Sequence, residues 1–296
     1  MNSFFKKQTI LIYGHNGWIG GMFLDYLVLN HFSLRLIKGG ARIDNSKEVI
    51  SEIKKYSPTH IISFTGRTHG KINGESINTI DYLEYPGKLV ENVRDNLYGP
   101  MNLAIICKRH NIHYTYLGTG CIFNSSENQT FNEASLPNYF GSGYSVVKGF
   151  TDRLMNEFPV LNLRIRMPIS SIPNERNFIN KITKYEFICS VPNSMTVLDD
   201  FFPIFADLML RKKTGTFNCT NPGTISHNQV LTIYRDTIDN SFTWKNMSLE
   251  DQAKMLKADR SNNHLDTSKI EKAYPKLKPI NDSIIIVLNK MKLKMN

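Results

Sequence analysis

Thr9-Ile-Leu-Ile-Tyr13 runs directly into Gly14-His-Asn-Gly17-Trp-Ile-Gly20-Gly21 and then into Met22-Phe-Leu-Asp-Tyr-Leu27. The first run is apolar and rich in β-branched residues, the pattern of a buried strand. The last has the apolar spacing of a helix. The glycines between them permit a tight turn and bring the backbone close to an anion, whose charge sits at a helix N-terminus. Strand, glycine turn and helix in this order read as a dinucleotide site. Gly14, Gly17, Trp18, Ile19 and Gly20 are its candidate cofactor contacts. A tight turn with no ligand is the competing reading.

Downstream, strand and helix patterns alternate. Strands are expected at 33–37, 60–64, 113–117 and 161–165. Helices are expected at 46–56 with Ser46 as N-cap, at 90–110 with an interruption at Pro100, and at 144–158. Such alternation predicts an α/β fold, a doubly wound parallel Rossmann sheet. The division is a cofactor domain over 1–165 and a smaller substrate-binding region over 166–296, approximate and interleaved. Ligands of such sheets lie outside the carboxyl ends of the strands. Gly14, Thr65-Gly66 and Thr119 fall there, and Asn96 on the 90–110 helix joins the cofactor set.

A second constellation carries chemistry. Thr119-Gly-Cys121 is followed by Tyr144-Ser-Val-Val-Lys148. Tyrosine and lysine four apart share a helix face. An ammonium beside a phenol lowers its pKa from about 10, so Tyr144 can protonate a carbonyl under reduction while Thr119 shares its oxygen. A structural helix pair and a strand-end hydroxyl are the plain alternatives. Cys121 has no part in ketone reduction.

The spacing Gly-x-x-Gly-x-x-Gly with Tyr-x-x-x-Lys resembles the extended short-chain dehydrogenase/reductases. Members specific for NAD carry an acidic residue after the second strand. Here that region reads Arg35-Leu-Ile-Lys38-Gly-Gly-Ala-Arg42, with no carboxylate before Asp44. Arg35, Lys38 or Arg42 would suit a 2′-phosphate, which favours NADPH over NADH; ordinary surface lysines and arginines are the plain alternative.

Composition narrows the classes. The chain has 296 residues, 41% hydrophobic and 21% charged, which is ordinary for a globular enzyme. Its net charge of +10 invites a nucleic-acid reading, but the cations are dispersed apart from the segment 289–296, and no recognition motif accompanies them. No signal peptide and no apolar run near ~20 residues are present, so no membrane partner and a cytoplasmic location are expected. Four scattered cysteines without a Cys-x-x-Cys pair argue against a metal site. Arg176, Asn177 and Arg260, in the looser second half, could hold a nucleotide diphosphate or equally serve as caps and turn residues.

Longer runs are more specific: Tyr13-Gly-His-Asn-Gly-Trp-Ile-Gly-Gly21, Gly118-Thr-Gly-Cys-Ile-Phe123, Arg164-Ile-Arg-Met-Pro-Ile-Ser-Ser171, Arg176-Asn-Phe-Ile-Asn-Lys-Ile182 and Arg260-Ser-Asn-Asn. They are similar to the bifunctional 3,5-epimerase/4-reductases of UDP-L-rhamnose synthesis, found in plants and as stand-alone chains in large DNA viruses. The resemblance implies UDP-4-keto-6-deoxy-D-glucose as substrate, supplied by a separate 4,6-dehydratase. It implies Cys121 and Lys181 as the proton-transfer pair for epimerisation, then reduction by NADPH with Thr119, Tyr144 and Lys148. It also implies a homodimer through the helices 90–110 and 144–158. One departure from single-function reductases is Gly120, where many of those carry an acid. Two other readings stay open: a reductase acting only on dTDP- or UDP-4-dehydrorhamnose, and a catalytically silent dinucleotide-binding regulatory subunit.

Overall fold

The computed structural model describes residues 8–31, 33–126 and 129–295. Along the chain run β1 (Thr9–Tyr13), α1 (Trp18–Asn30), β2 (Arg35–Lys38), α2 (Ser46–Tyr56), β3 (His60–Ser63), α3 (Lys88–Val93), α4 (Gly99–Arg109) and β4 (His113–Thr119). There follow α5 (Gly143–Met155), β5 (Val160–Ile165), α6 (Phe178–Ile182), α7 (Leu198–Leu210), β6 (Gly215–Asn218) and α8 (His227–Thr237). The six strands form one parallel sheet in the order β6-β5-β4-β3-β1-β2. Chain order reverses between β1 and β3, and the crevice at their carboxyl ends is where such a sheet binds ligand.

Both faces are covered, as buried parallel strands require. Ile10, Ile12 and Ile62 pack with Phe23 and Leu27 of α1 and with Phe201 and Phe205 of α7. On the other face Leu11, Tyr13 and Ile61 meet Val49 and Ile53 of α2 and Leu103 and Cys107 of α4. A separate core joins Ile179 and Ile182 of α6 to Val230 and Leu231 of α8 and to Ile284 and Leu288 of the C-terminal helix Ile280–Met295. That core is a smaller C-terminal unit beside the sheet. It is not everything beyond 165, because α7 and β6 return to the sheet. Buried side chains Leu198 to Met209 complete one face, and β6 pairs along β5 from Gly215↔Leu161 to Asn218↔Arg164.

Three local expectations change. The N-cap of α2 is Asn45, whose side chain accepts from Lys47 N and Glu48 N. Ser46 already lies in the helix, and its hydroxyl donates to Asn102 Oδ1 at 2.7 Å. The strand expected to stop at 117 continues to Thr119, because β5 offers partners as far as Thr119↔Ile165. Pro100 does not interrupt its helix. Proline has no N–H for the carbonyl four residues back, here that of Asn96. The chain takes a π-helical turn over Arg94–Tyr98, and Thr151 of α5 donates its hydroxyl to the Asn96 carbonyl at 2.7 Å. A buried carbonyl left without a donor costs about 1–3 kcal/mol, so Thr151 keeps α4 continuous and docks α5 against it.

The segment between β3 and α3 carries elements that the sequence pattern does not reveal. A hairpin of Gly70–Ile72 with Glu75–Ile77 leads into a 3-10 turn, Ile80–Glu84. Tyr82 and Leu83 of that turn pack on Tyr144, with Cys121 against the same cluster. Among the described residues no helix is long and apolar enough to cross a membrane.

Candidate active site

The glycine turn has the shape of a phosphate cradle. Gly14 stands at φ +76°, a left-handed conformation natural to glycine, and a Cβ there would lie 2.9 Å from Phe64 C and Thr65 N. The β1 turn and the loop after β3 therefore touch backbone to backbone at the crevice. A Cβ on Gly20 would lie 2.2 Å from the Gly14 carbonyl oxygen, so α1 can approach the turn only with glycine there. Gly17 is the N-cap of α1 and supplies no side-chain cap, which leaves the positive end of the helix free of side-chain oxygen. Trp18 and Ile19 anchor that first turn on the core, and the Trp18 indole N–H is buried without a protein partner. The residues fit a dinucleotide.

Three of the expected cofactor contacts are placed differently. Asn96 is fully buried and spends its amide on the loop after β3: Oδ1 accepts from Arg67 N, and Nδ2 donates to Arg67 O and Asn92 Oδ1. It shapes the loop at Gly66. Thr65 meets Ser63, their hydroxyls 2.6 Å apart. Arg35 pairs with Thr9 at the amino end of β1, whereas Lys38 pairs with Ile12 near the carboxyl end. Ligands lie at the carboxyl ends, so Arg35 is at the wrong edge for a cofactor phosphate and Lys38 at the right one. Arg42, just beyond, is 57% exposed and leans on Asp44 and Asp95.

Thr119, Cys121, Tyr144 and Lys148 converge. Thr119 closes β4, and its hydroxyl accepts from Cys121 N at 3.1 Å. Ser142 caps α5, and Ser145 in the first turn donates its hydroxyl to the Cys121 carbonyl at 2.7 Å. The turn bearing the sulfur and the helix bearing the phenol are thus tied together. Burial, and then the Cys121 sulfur, hold the Tyr144 phenol well above its ordinary range, opposed by a hydrogen bond with Thr119. Burial pulls Lys148 down to about 8, against the pull of Asp152 and Cys121. Its Nζ donates to Tyr116 OH and reaches Leu117 O at 3.4 Å. The expected relief of the tyrosine by the lysine is therefore not what this geometry gives. Burial outweighs it, and the ammonium is turned to Tyr116.

The second wall is cationic. Burial, with Arg176 and Arg260 beside it, pulls the half-buried Lys181 down from the usual lysine range. Its Nζ comes within 3.4 Å of Asn78 O on the hairpin side. Arg176 stacks its guanidinium edge on His69, with nitrogens 2.6 and 2.9 Å apart, and burial with that charge keeps the imidazole low. Arg260 pairs with Asp81, which also accepts from Lys257 N and Ala258 N at 2.9 Å each. Burial alone would raise Asp81, but hydrogen bonds from Thr79, Ala258 and Arg260 hold it below the usual carboxylate value. Asn177 is fully buried; it caps α6 through Ile179 N and donates to Ser170 O. These bonds build the loop before α6. Arg166, Tyr139 and Asp81 lie against these residues; Tyr139 and Asp81 carry no sequence signal, and Arg166 shows only as part of the run 164–171. An arginine in a strand-like run looks the same whether its guanidinium ends in water or in the core.

No family model matches the chain. It is 51% identical over 291 residues to protein L780 of Acanthamoeba polyphaga mimivirus, covering 96% of this chain and 99% of that one. The crystal structure of the L780 UDP-rhamnose synthase superposes with a TM-score of 0.91 over 96% of this chain and 99% of its own. A bifunctional dTDP-4-dehydrorhamnose 3,5-epimerase/dTDP-4-dehydrorhamnose reductase of Arabidopsis thaliana is 40% identical over 285 residues, 94% of this chain and 91% of that protein.

The chain belongs to the nucleotide-sugar 3,5-epimerase/4-reductase family.

A longer family member of A. thaliana, named as a trifunctional enzyme with an added UDP-glucose 4,6-dehydratase, is 38% identical over 283 residues; the chain spans 41% of its length. Beyond the family, a dTDP-4-dehydrorhamnose reductase of Bacillus anthracis solved with NADP shares the fold at 17% identity, with a TM-score of 0.79 over 97% of this chain and 99% of its own. In this epimerase/reductase the buried Lys148 gives a pH signature. Its pKa is about 8 when folded, below the unfolded value of 10.5, so the fold gains stability as pH rises from about 8 towards 10.5. Lys148→Met removes that gain. The stability of wild type minus that of the variant, from urea melts, is expected to rise between pH 7 and pH 10; a constant difference would contradict the depressed lysine.

Proposed function

We propose that the chain converts UDP-4-keto-6-deoxy-D-glucose into UDP-L-rhamnose, inverting C3 and C5 before reducing C4 with NADPH. The observation that carries this reading is a half-buried thiol, Cys121, in the same cluster as the reductive phenol Tyr144. A 4-keto group acidifies the protons on C3 and C5, since loss of either gives an enolate. Inversion needs one group to remove a proton and another to return one to the opposite face. Cys121 and Lys181 fill those roles. Burial and neighbouring guanidiniums lower Lys181, so it gives up its proton more readily than a surface lysine.

NADPH, when bound, supplies the hydride to C4. Gly14, Gly17 and Gly20 would make room for its diphosphate, and Lys38 and Arg42 would hold a 2′-phosphate. Tyr144 donates its proton to O4; a phenol held high by burial stays protonated until the alkoxide forms and needs the proton. Lys148 replenishes positive charge near the phenol, and Thr119 orients the oxygen. Arg176 and Arg260 face the substrate diphosphate. A separate 4,6-dehydratase makes the keto sugar, the step that the trifunctional relative carries in its own chain.

The two chemistries separate by mutation. Cys121→Ala is expected to lose solvent deuterium entry at C3 and C5 by at least ~100-fold, yet still oxidise NADPH with UDP-4-keto-L-rhamnose. Tyr144→Phe should do the reverse. Normal deuterium entry in the cysteine variant, followed by NMR, would overturn the assignment.

Two copies assemble through α3 and α5. These helices pack together and expose Leu89, Val90, Phe150 and Leu154 at 61%, 70%, 53% and 43%. An apolar surface of this kind is a usual protein–protein contact. Light scattering should show a dimer for the wild type and a monomer for Val90→Glu with Phe150→Glu; a monomeric wild type would contradict it.

A further inference from the structure

One segment between β3 and α3 touches all three cations of the second wall. His69 meets the Arg176 guanidinium, the Asn78 carbonyl meets Lys181 Nζ, and the Asp81 carboxylate meets Arg260. The cations come from distant parts of the chain. Arg176 and Lys181 lie at α6, whereas Arg260 lies in the loop between the helix Leu249–Met255 and the strand His264–Leu265. Of the three partners only Asp81 is anionic, and it is 9% exposed.

The two oxygens of Asp81 have separate tasks. Oδ1 accepts from Lys257 N and Ala258 N at 2.9 Å each and so pins the backbone of the Arg260 loop. Oδ2 accepts from the Thr79 hydroxyl and from Arg260 Nη2. Arg260 Nη1 donates to the Ala258 carbonyl at 2.6 Å, within the loop that Oδ1 holds. A guanidinium carries five N–H groups in a rigid fork. Two are committed here, one to the carboxylate and one to the pinned loop, and three remain. The Arg260 side chain keeps 26% of its surface open. It also lines a cleft of about 250 Å³ with Tyr139, Gln252 and Asn262, so the arginine borders a space that a ligand can enter.

We infer that Asp81 is the positioning residue for the diphosphate of the nucleotide sugar: it sets Arg260 and its loop in the binding orientation before the substrate arrives. This rests on the reading of Arg260 as a diphosphate contact and assigns what holds that contact in place. Asp81 touches no reacting atom and acts through Arg260.

Two effects of the carboxylate oppose each other. Its charge offsets part of the attraction between Arg260 and a diphosphate. Its bonds remove the need to order a long side chain and a loop at the moment of binding. Partly exposed ion pairs contribute little, whereas ordering side chains and loops costs affinity directly. Preorganisation therefore outweighs the lost charge, and removing the carboxylate weakens binding.

The division between the oxygens makes the test selective. Asp81→Asn keeps an acceptor for Lys257 N and Ala258 N and loses the charge opposite Arg260. By isothermal titration, UDP should bind at least ~10-fold more weakly to Asp81→Asn than to wild type. In turnover the loss should appear in KM for the keto sugar, with kcat and NADPH affinity near those of wild type. Arg260→Gln should weaken UDP binding at least ~10-fold, and adding Asp81→Asn to it should cost nothing further, because the two residues act as one unit. Unchanged or tighter UDP binding in Asp81→Asn overturns the inference, as does a double variant in which the two losses add. If Arg260→Gln binds UDP as wild type does, the diphosphate reading itself fails and the inference with it. Parallel titrations with dTDP keep the identity of the carrier out of the outcome. Thermal melting and NADPH binding check that each variant is folded. If Asp81→Asn does not fold, Arg260→Lys decides: it keeps the charge but not the fork, and UDP affinity equal to wild type overturns the inference while a loss supports it.

Discussion

One hydrogen bond ties together the residues proposed for the two chemistries: the Ser145 hydroxyl on the Cys121 carbonyl, 2.7 Å long. Ser145 follows Tyr144 in the first turn of α5, and that turn is itself fixed by the Ser142 cap and by Glu84, which accepts from Gly143 N at 2.7 Å. Cys121 is held from the other side by its own N–H on the Thr119 hydroxyl. A proton shuttle and a reductive acid that must serve one sugar ring need a fixed separation, since small errors in placing a reacting group cost rate steeply. Strand end, cysteine turn and helix start are therefore locked as one piece, and the remainder of the fold supports that piece.

Burial is the force that sets the chemistry. It is the leading cause holding Tyr144 up and Lys148, Lys181 and Arg166 down. Four perturbed groups in one place are what a catalytic cleft looks like. The phenol therefore keeps its proton for an anionic oxygen, and the two lysines give theirs up more readily than surface lysines do. The 3-10 turn with Tyr82 and Leu83 supplies much of that dryness over Tyr144, and Asp81 from the same turn organises Arg260 and the backbone at Lys257 and Ala258.

The fold was readable where local physics decides it. The apolar strand runs and the glycines at 14, 17 and 20 carry their reason with them, because a left-handed φ and a helix packed on a carbonyl exclude side chains. Tyr144 and Lys148 were readable because helix geometry makes neighbours of positions four apart. What the sequence leaves open depends on partners distant in it. Asn96 looks like a ligand contact until Arg67 claims its amide, Asn177 until Ser170 does, and Arg35 until the register with Thr9 places it on the amino edge. β6 was missed because a four-residue strand beginning with glycine has too little pattern of its own and exists by pairing with β5. Arg166 lies in a run that carries the resemblance, but its burial without a carboxylate partner is visible only in the structure.

The central claim is that one chain inverts two carbons and then reduces a third. The most direct measurement is the stereochemistry of the product formed from UDP-4-keto-6-deoxy-D-glucose and NADPH, read by NMR coupling constants. The account predicts UDP-L-rhamnose, with solvent deuterium at both C3 and C5 when the reaction is run in heavy water. A 6-deoxy-D-hexose with protium retained at those carbons would show a reductase alone and contradict it.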